Sequence, residues 1–230
     1  MVNWQNLQQA IGVTFTDLSL LRQAFTHSSY INENPESSLS DNERLEFLGD
    51  ALLSFIVAEK LYLEFPHMAE GELTEVRTSL VRQETLSQLA SSLDLGDYLY
   101  LGKGEEATGG RQRQTNLADT FEALVGAIFI DQGLTAASDF TLSMLGNWLE
   151  KIKTDGVGLN YKALLQEFTQ AEYKQLPTYR MVEASGPDHD KDFTIEVTLG
   201  DTILGTGWGK SKRAAEMEAA RSAWKKMPKD

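Results

Sequence analysis

From Asp17 to Lys153 apolar residues recur at intervals of three and four almost without interruption, the spacing of amphipathic helices. Polar stretches carrying Gly or Pro at NENPESS (32–38), FPHMAEGE (65–72) and GKGEEATGGRQRQ (102–114) predict the loops between them. The pattern changes beyond TDGVGLN, residues 154–160. LNYKALLQEFTQ reads as a helix, and YRMVEASGP and KDFTIEVTLG read as strands, with Phe193, Ile195, Val197 and Leu199 alternating with polar residues as a half-buried strand requires. A third strand, TILGTGWG, leads into a helix from about Ser211 to Lys226. The expected fold class is therefore multidomain: an all-α domain over 1–153, a linker over 154–158, and an α-β-β-β-α domain over 159–230.

Two of the predicted helices carry acids inside apolar runs. In NERLEFLGDALLSF, residues 42–55, Glu43, Glu46 and Asp50 fall within a narrow arc at about 100° per residue. Leu45, Leu48, Leu52 and Phe55 are expected to form an apolar face beside them. In NLADTFEALVGAIFIDQG, residues 116–133, Asp119 and Glu122 share a face among Phe121, Leu124, Val125, Ile128 and Phe129. Acids at such spacing are ordinarily solvated faces. Here apolar residues flank them, and Arg44 lies off the acid face, so neither helix supplies a neutralising cation. Desolvation and mutual repulsion both disfavour the charged carboxylates, and a bound cation relieves both. With no cysteine in the chain and hard oxygen ligands, the donor set suits Mg²⁺ or Mn²⁺ rather than zinc or copper. The Glu-x-x-His motifs of helical di-iron centres are absent. Read from the residues alone, such a site serves phosphoryl transfer or is structural.

Composition narrows the partners. The 230 residues carry a net charge of −13, which by itself disfavours nucleic acid. Its distribution reverses that reading: 10 basic and 23 acidic residues lie in 1–158, against 11 and 11 in 159–230. In the second part, GTGWGKSKRAAE places Lys210, Lys212 and Arg213 at a helix start, where the helix dipole prefers acids. With three preceding glycines this predicts a phosphate contact. No apolar run is long enough to span a membrane, and the first residues do not form a signal peptide. Absence of cysteine fits a cytoplasmic protein. His27, His67 and His189 are too scattered for a zinc site.

Together these stretches resemble the bacterial ribonuclease III family over essentially the whole chain. NERLEFLGDALL is similar to the family's signature helix, LADTFEALVGAIFID to its second acidic helix, LRQAFTHSSY to its early Thr-His-Ser motif, and the tail to its double-stranded RNA-binding domain. The resemblance implies an Mg²⁺-dependent endoribonuclease, with Mn²⁺ able to substitute. It would hydrolyse double-stranded RNA to 5′-phosphate and 3′-hydroxyl ends, act as a homodimer, and process ribosomal precursors and messengers. It implies that Glu46, Asp50, Asp119 and Glu122 form the catalytic metal-binding cluster, supported by Glu43 and by Glu70 in a loop, with Phe47 inserting into the partner subunit. Gln166, Glu167 and Gln170 are implied to contact the minor groove, His189 in the GPDH loop a second groove, and Lys210, Lys212 and Arg213 the phosphates. Ala163 departs from the family, which often has threonine there. A binding protein that no longer cuts would have lost acids from the cluster, and an enzyme acting on small nucleotides would need no such tail.

Overall fold

The computed structural model describes residues 3–66, 68–155, 161–187 and 191–227. It forms two compact units, Met1–Gly158 and Leu159–Asp230. His67 and His189 lie outside the described residues, as do residues 156–158 of the expected linker.

The first unit is helical throughout. Its elements are α1 (Trp4–Ile11), α2 (Leu18–Ala24), α3 (Ser28–Glu33), α4 (Glu43–Glu64), α5 (Glu70–Val81), α6 (Gln83–Ser92), α7 (Lys103–Ala107) and α8 (Gln114–Asp155), with 3₁₀ turns at Leu95–Tyr98 and Gly110–Gln112. The structure adds one helix to the expected pattern and corrects it at two places. A helix, α1, precedes Asp17; it is capped by Asn3, whose side chain accepts from the N–H groups of Gln5 and Asn6, and Trp4 packs edge-on against Phe25. The stretch 102–114 contains α7 and a 3₁₀ turn, held by Glu33, whose carboxylate accepts from the Lys103 and Gly104 N–H groups. Glu70 is the first residue of α5 rather than a loop residue, because Glu72 reaches back to the Ala69 N–H and closes the helix start.

The core lies along α4 and α8, which pack on each other. The buried side of α4 is Leu45, Gly49, Leu53, Ile56, Val57 and Leu61. The expected face is corrected accordingly: Leu48 and Leu52 are only half-buried and Phe55 is 51% exposed. With apolar residues on several sides of α4, periodicity alone could not say which side meets α8. Two glycines decide it. A Cβ at Gly49 would stand 1.8 Å from the Glu122 carbonyl oxygen, and one at Gly126 would stand 2.3 Å from the Leu45 carbonyl oxygen. Both are closer than atoms can approach, so the two backbones touch because each helix offers a glycine to the other.

Helix α8 bends at Gly133, where φ is 84°, a left-handed value that glycine adopts without strain. Just before the bend, the Asp131 carboxylate accepts from the Thr16 and Asp17 N–H groups at 2.8 Å each, and the Gln132 amide donates to the Thr14 carbonyl. The chain entering α2 is thereby pinned to α8.

The second unit follows the expected α-β-β-β-α order: α9 (Tyr161–Tyr173), β1 (Thr178–Ser185), β2 (Asp192–Leu199), β3 (Thr202–Gly209) and α10 (Lys212–Trp224). The three strands form an antiparallel sheet in sequence order. Ile195 and Val197 are buried beneath α10, which packs on β2 and β3. The glycines of GTGWG have a packing role. Cβ atoms at Gly205, Gly207 and Gly209 would fall 2.6, 2.0 and 2.7 Å from the α10 backbone, opposite the buried Ala215, Ala219 and Ala223. Their alternation lets α10 lie flat on the inner face of β3.

Candidate functional site

Helix α4 presents Glu46 one residue after the buried Leu45, and α8 presents Asp119 and Glu122 on either side of the buried Phe121. The glycine contact between the helices sets these three acids against one another. Each offers a carboxylate oxygen, and these oxygens lie within 4.8 Å of one another. Oxygens on opposite sides of an Mg²⁺, each about 2.1 Å from it, would be about 4.2 Å apart. The three carboxylates therefore fit a small divalent cation with little movement.

Their electrostatics describe a cluster in which burial and mutual repulsion outweigh any counter-charge. Burial, then the charges of Asp50, Glu46 and Asp119, push the Glu122 carboxyl up to about 8. Glu46 is also raised, by burial and then by Asp119, Glu43 and Asp50. Burial raises Asp119 as well, and His27 partly offsets it. Among the described residues none of these acids has an ion-pair partner.

The structure thus brings together Glu46, Asp119 and Glu122, with Asp50 and Glu43 at its exposed margin, where their charges act on the cluster. Glu70 does not join them; it accepts from the Thr74 hydroxyl at 3.0 Å within α5. Phe47 projects from α4 with 81% of its surface exposed. The sequence reading gave no weight to Gly49 and Gly126, although a glycine inside each acid-bearing helix was a visible sign of close approach.

In the second unit Gln166, Glu167 and Gln170 are exposed on one side of α9 and line a shallow open groove with Ala171 and Lys174. Lys212 and Arg213 are exposed in the first turn of α10, which Ser211 caps by accepting the Ala214 N–H at 3.2 Å. Lys210 is paired with Asp192 at 2.9 Å.

Residues 17–148 match the family model described as Ribonuclease-III-like, and residues 161–227 match the double-stranded RNA binding motif. The chain belongs to the ribonuclease III family. It is 48% identical to Ribonuclease 3 of Roseiflexus sp. (strain RS-1), over 94% of this chain and 92% of that one. It is 44% identical to Ribonuclease 3 of Dehalococcoides mccartyi (strain ATCC BAA-2266 / KCTC 15142 / 195), over 97% and 94%. The nuclease domain of ribonuclease III from Campylobacter jejuni superposes with a TM-score of 0.59 at 36% identity, covering 63% of this chain and 97% of that domain. Membership makes this chain an endoribonuclease specific for double-stranded RNA, built as a helical nuclease unit followed by a double-stranded RNA-binding unit.

Proposed function

We propose that Glu46, Asp50, Asp119 and Glu122 are the catalytic acids of this endoribonuclease and hold Mg²⁺, with Mn²⁺ able to replace it. The observation that carries this reading is the convergence of Glu46, Asp119 and Glu122 from two helices without a compensating cation. When bound, the divalent ion supplies an acidified water and neutralises charge developing on the scissile phosphate. The protein's part is geometric and electrostatic. Glu122 rises from a turn of α8 whose backbone is locked against Gly49, so its carboxylate cannot drift from Glu46. Apolar packing beneath the acids, from Leu45 and Phe121, keeps water out below the site and leaves its exposed side to the RNA backbone. Asp50 and Glu43, more exposed, are placed to complete the ligand shell or meet the substrate. Hydrolysis at this site leaves 5′-phosphate and 3′-hydroxyl ends.

The second unit binds the duplex by shape. Gln166, Glu167 and Gln170 offer polar groups suited to the 2′-hydroxyls of an A-form minor groove, and Lys212 and Arg213 contact phosphates. Lys210 contributes by exchanging its Asp192 partner for a phosphate. The chain acts as a homodimer through Phe47, and one such cluster per subunit serves each strand. The Campylobacter jejuni nuclease domain is described with a region involved in dimer formation, which supports this arrangement. No helix among the described residues is long and apolar enough to cross a membrane, in keeping with a cytoplasmic role in processing ribosomal precursors and messengers.

The test is cleavage of a long RNA duplex with Mg²⁺, beside Ca²⁺ and beside Glu122→Gln, with duplex binding followed in the same samples. Cutting that requires Mg²⁺ and Glu122 while binding persists supports the assignment. Undiminished cutting by Glu122→Gln would overturn it.

A further inference from the structure

Helix α8, which carries Asp119 and Glu122, begins without the usual means of holding a helix start. Arg113, the residue before it, is extended, and an arginine side chain offers no acceptor to the free N–H groups of a first turn. No acid lies in that turn to meet the helix dipole. Asp119 follows in the second turn and has no hydrogen-bond partner among the described residues. Where its carboxylate stands therefore depends on the backbone beneath it.

Asn116 supplies the anchor. Its buried amide donates to the Glu105 carboxylate at 2.7 Å and to the Gly110 carbonyl at 3.0 Å. The first turn of α8 is thereby tied to α7 and to the 3₁₀ turn after it. Both acceptors are braced in turn: Glu105 also takes Arg113 at 2.6 Å, and Arg111, beside Gly110, donates to the Gly96 and Leu99 carbonyls at 2.9 Å each. On its other side the Asn116 carbonyl accepts from the buried hydroxyl of Thr120, the residue after Asp119. Leu117 and Ala118 are buried as well. Apolar contact is non-directional and sets only how deep the turn sits, whereas two hydrogen bonds of fixed direction set its rotation and its position along the axis.

We propose that Asn116 is a positioning residue for the acid cluster: its amide, clamped between Glu105 and Gly110, holds the turn of α8 from which Asp119 converges with Glu46 and Glu122. This rests on the metal-centre reading above and adds a residue that acts through the helix rather than on the metal or the RNA. It also gives the 102–114 segment a function, since that segment offers α8 both of the acceptors that Asn116 uses.

Three variants separate positioning from general stability. Asn116→Leu keeps the side chain's approximate volume and removes both donors, and Asn116→Ser keeps one. Asp131→Ala is the stability control: it frees α8 from the Thr16 and Asp17 N–H groups, about three turns beyond Asp119, and leaves the converging acids untouched. In the full-length protein, Mn²⁺ affinity is measured by calorimetry without RNA, kcat and KM on a long duplex, and the thermal midpoint. The expected result for Asn116→Leu is Mn²⁺ affinity and kcat each reduced about 10- to 100-fold with KM unchanged, and for Asn116→Ser a smaller loss of both. Asp131→Ala should lower the midpoint and keep the parent's Mn²⁺ affinity and kcat. Asn116 variants that bind Mn²⁺ and cut like the parent, or Asp131→Ala losses that follow the midpoint as theirs do, would overturn the proposal. Where Asn116→Leu does not fold, Asn116→Ser against Asp131→Ala decides by the same criterion. Glu122→Gln, measured alongside, keeps the two readings apart. If it leaves Mn²⁺ binding intact, the metal-centre reading fails and the role of Asn116 falls with it; if it weakens binding while the Asn116 variants do not, the positioning role alone is overturned.

Discussion

Glu122 shows what burial does to a single side chain in this site. Its carboxyl is held up to about 8 from an ordinary 4.5, by burial first and neighbouring acids second. In a metal-free protein the unfolded chain releases this proton near 4.5, while the folded protein keeps it until about 8. Between those values the folded state binds more protons than the unfolded one, so stability falls as pH rises through that window and levels off above it. Glu46 and Asp119 are shifted in the same direction. Thermal midpoints measured in chelator from about pH 5 to about pH 9 should decline, and Glu122→Gln should flatten the decline. Adding Mg²⁺ or Mn²⁺ should raise the midpoint most at the alkaline end, because metal binding must displace these protons. A metal-free protein whose midpoint climbs across the window would contradict the assignment of the cluster's electrostatics. On activity, Glu122→Gln is expected to lower kcat by at least about 100-fold, with duplex affinity unchanged in a filter-binding or fluorescence assay.

Among the elements, α4 and α8 depend on the pair Gly49 and Gly126, and the sheet-helix contact of the second unit depends on Gly207. Each would-be methyl group meets backbone atoms, at 1.8, 2.3 and 2.0 Å, and backbone cannot rotate aside as a side chain can. Gly49→Ala or Gly126→Ala should therefore cost about 3 kcal/mol or more, at the upper end of overpacking penalties. Denaturant unfolding would measure it, and cleavage should drop together with metal binding because the acids on the two helices separate. Gly207→Ala should instead impair duplex binding and leave the nuclease unit's acid cluster intact. The elements themselves were largely legible. Period-2 alternation from Phe193 to Leu199 marked β2, and acids three and four apart marked the faces of α4 and α8. The short helix α7 was hidden because its Gly-rich, charged sequence is loop-like, and the groups that fix its start, the Ser29 hydroxyl and the Glu33 carboxylate, lie about 70 positions earlier in the chain. Glu70 was misplaced for a similar reason: the closure of α5 depends on the Glu72 side chain returning to Ala69.

At the level of the molecule, two units divide acidic and balanced charge between them. The binding unit, with 11 basic and 11 acidic residues over 159–230, must attract phosphates through a few local cations. Duplex affinity should fall steeply with salt, and Lys212→Ala or Arg213→Ala should each reduce the slope of log affinity against log salt by about 1. A slope unaffected by either substitution would place the phosphate contacts elsewhere. Phe47, 81% exposed on α4, is the most exposed large apolar side chain among the described residues. Phe47→Ser should shift the protein toward monomer in analytical ultracentrifugation while leaving its helical content unchanged. A dimer that persists in that variant would remove Phe47 from the interface.

The sequence by itself determined the helical and mixed character of the two parts, the acids that share helical faces, and the basic start of the last helix. Each of these depends on local periodicity and charge, which spacing along one chain expresses. Only the tertiary structure decided which side of α4 is buried, that Glu46, Asp119 and Glu122 converge while Glu70 does not, and that the glycines of β3 serve packing. These outcomes depend on how closely two backbones approach, and the residues that permit the approach, glycines without side chains, leave no periodic trace in the pattern of apolar and polar positions.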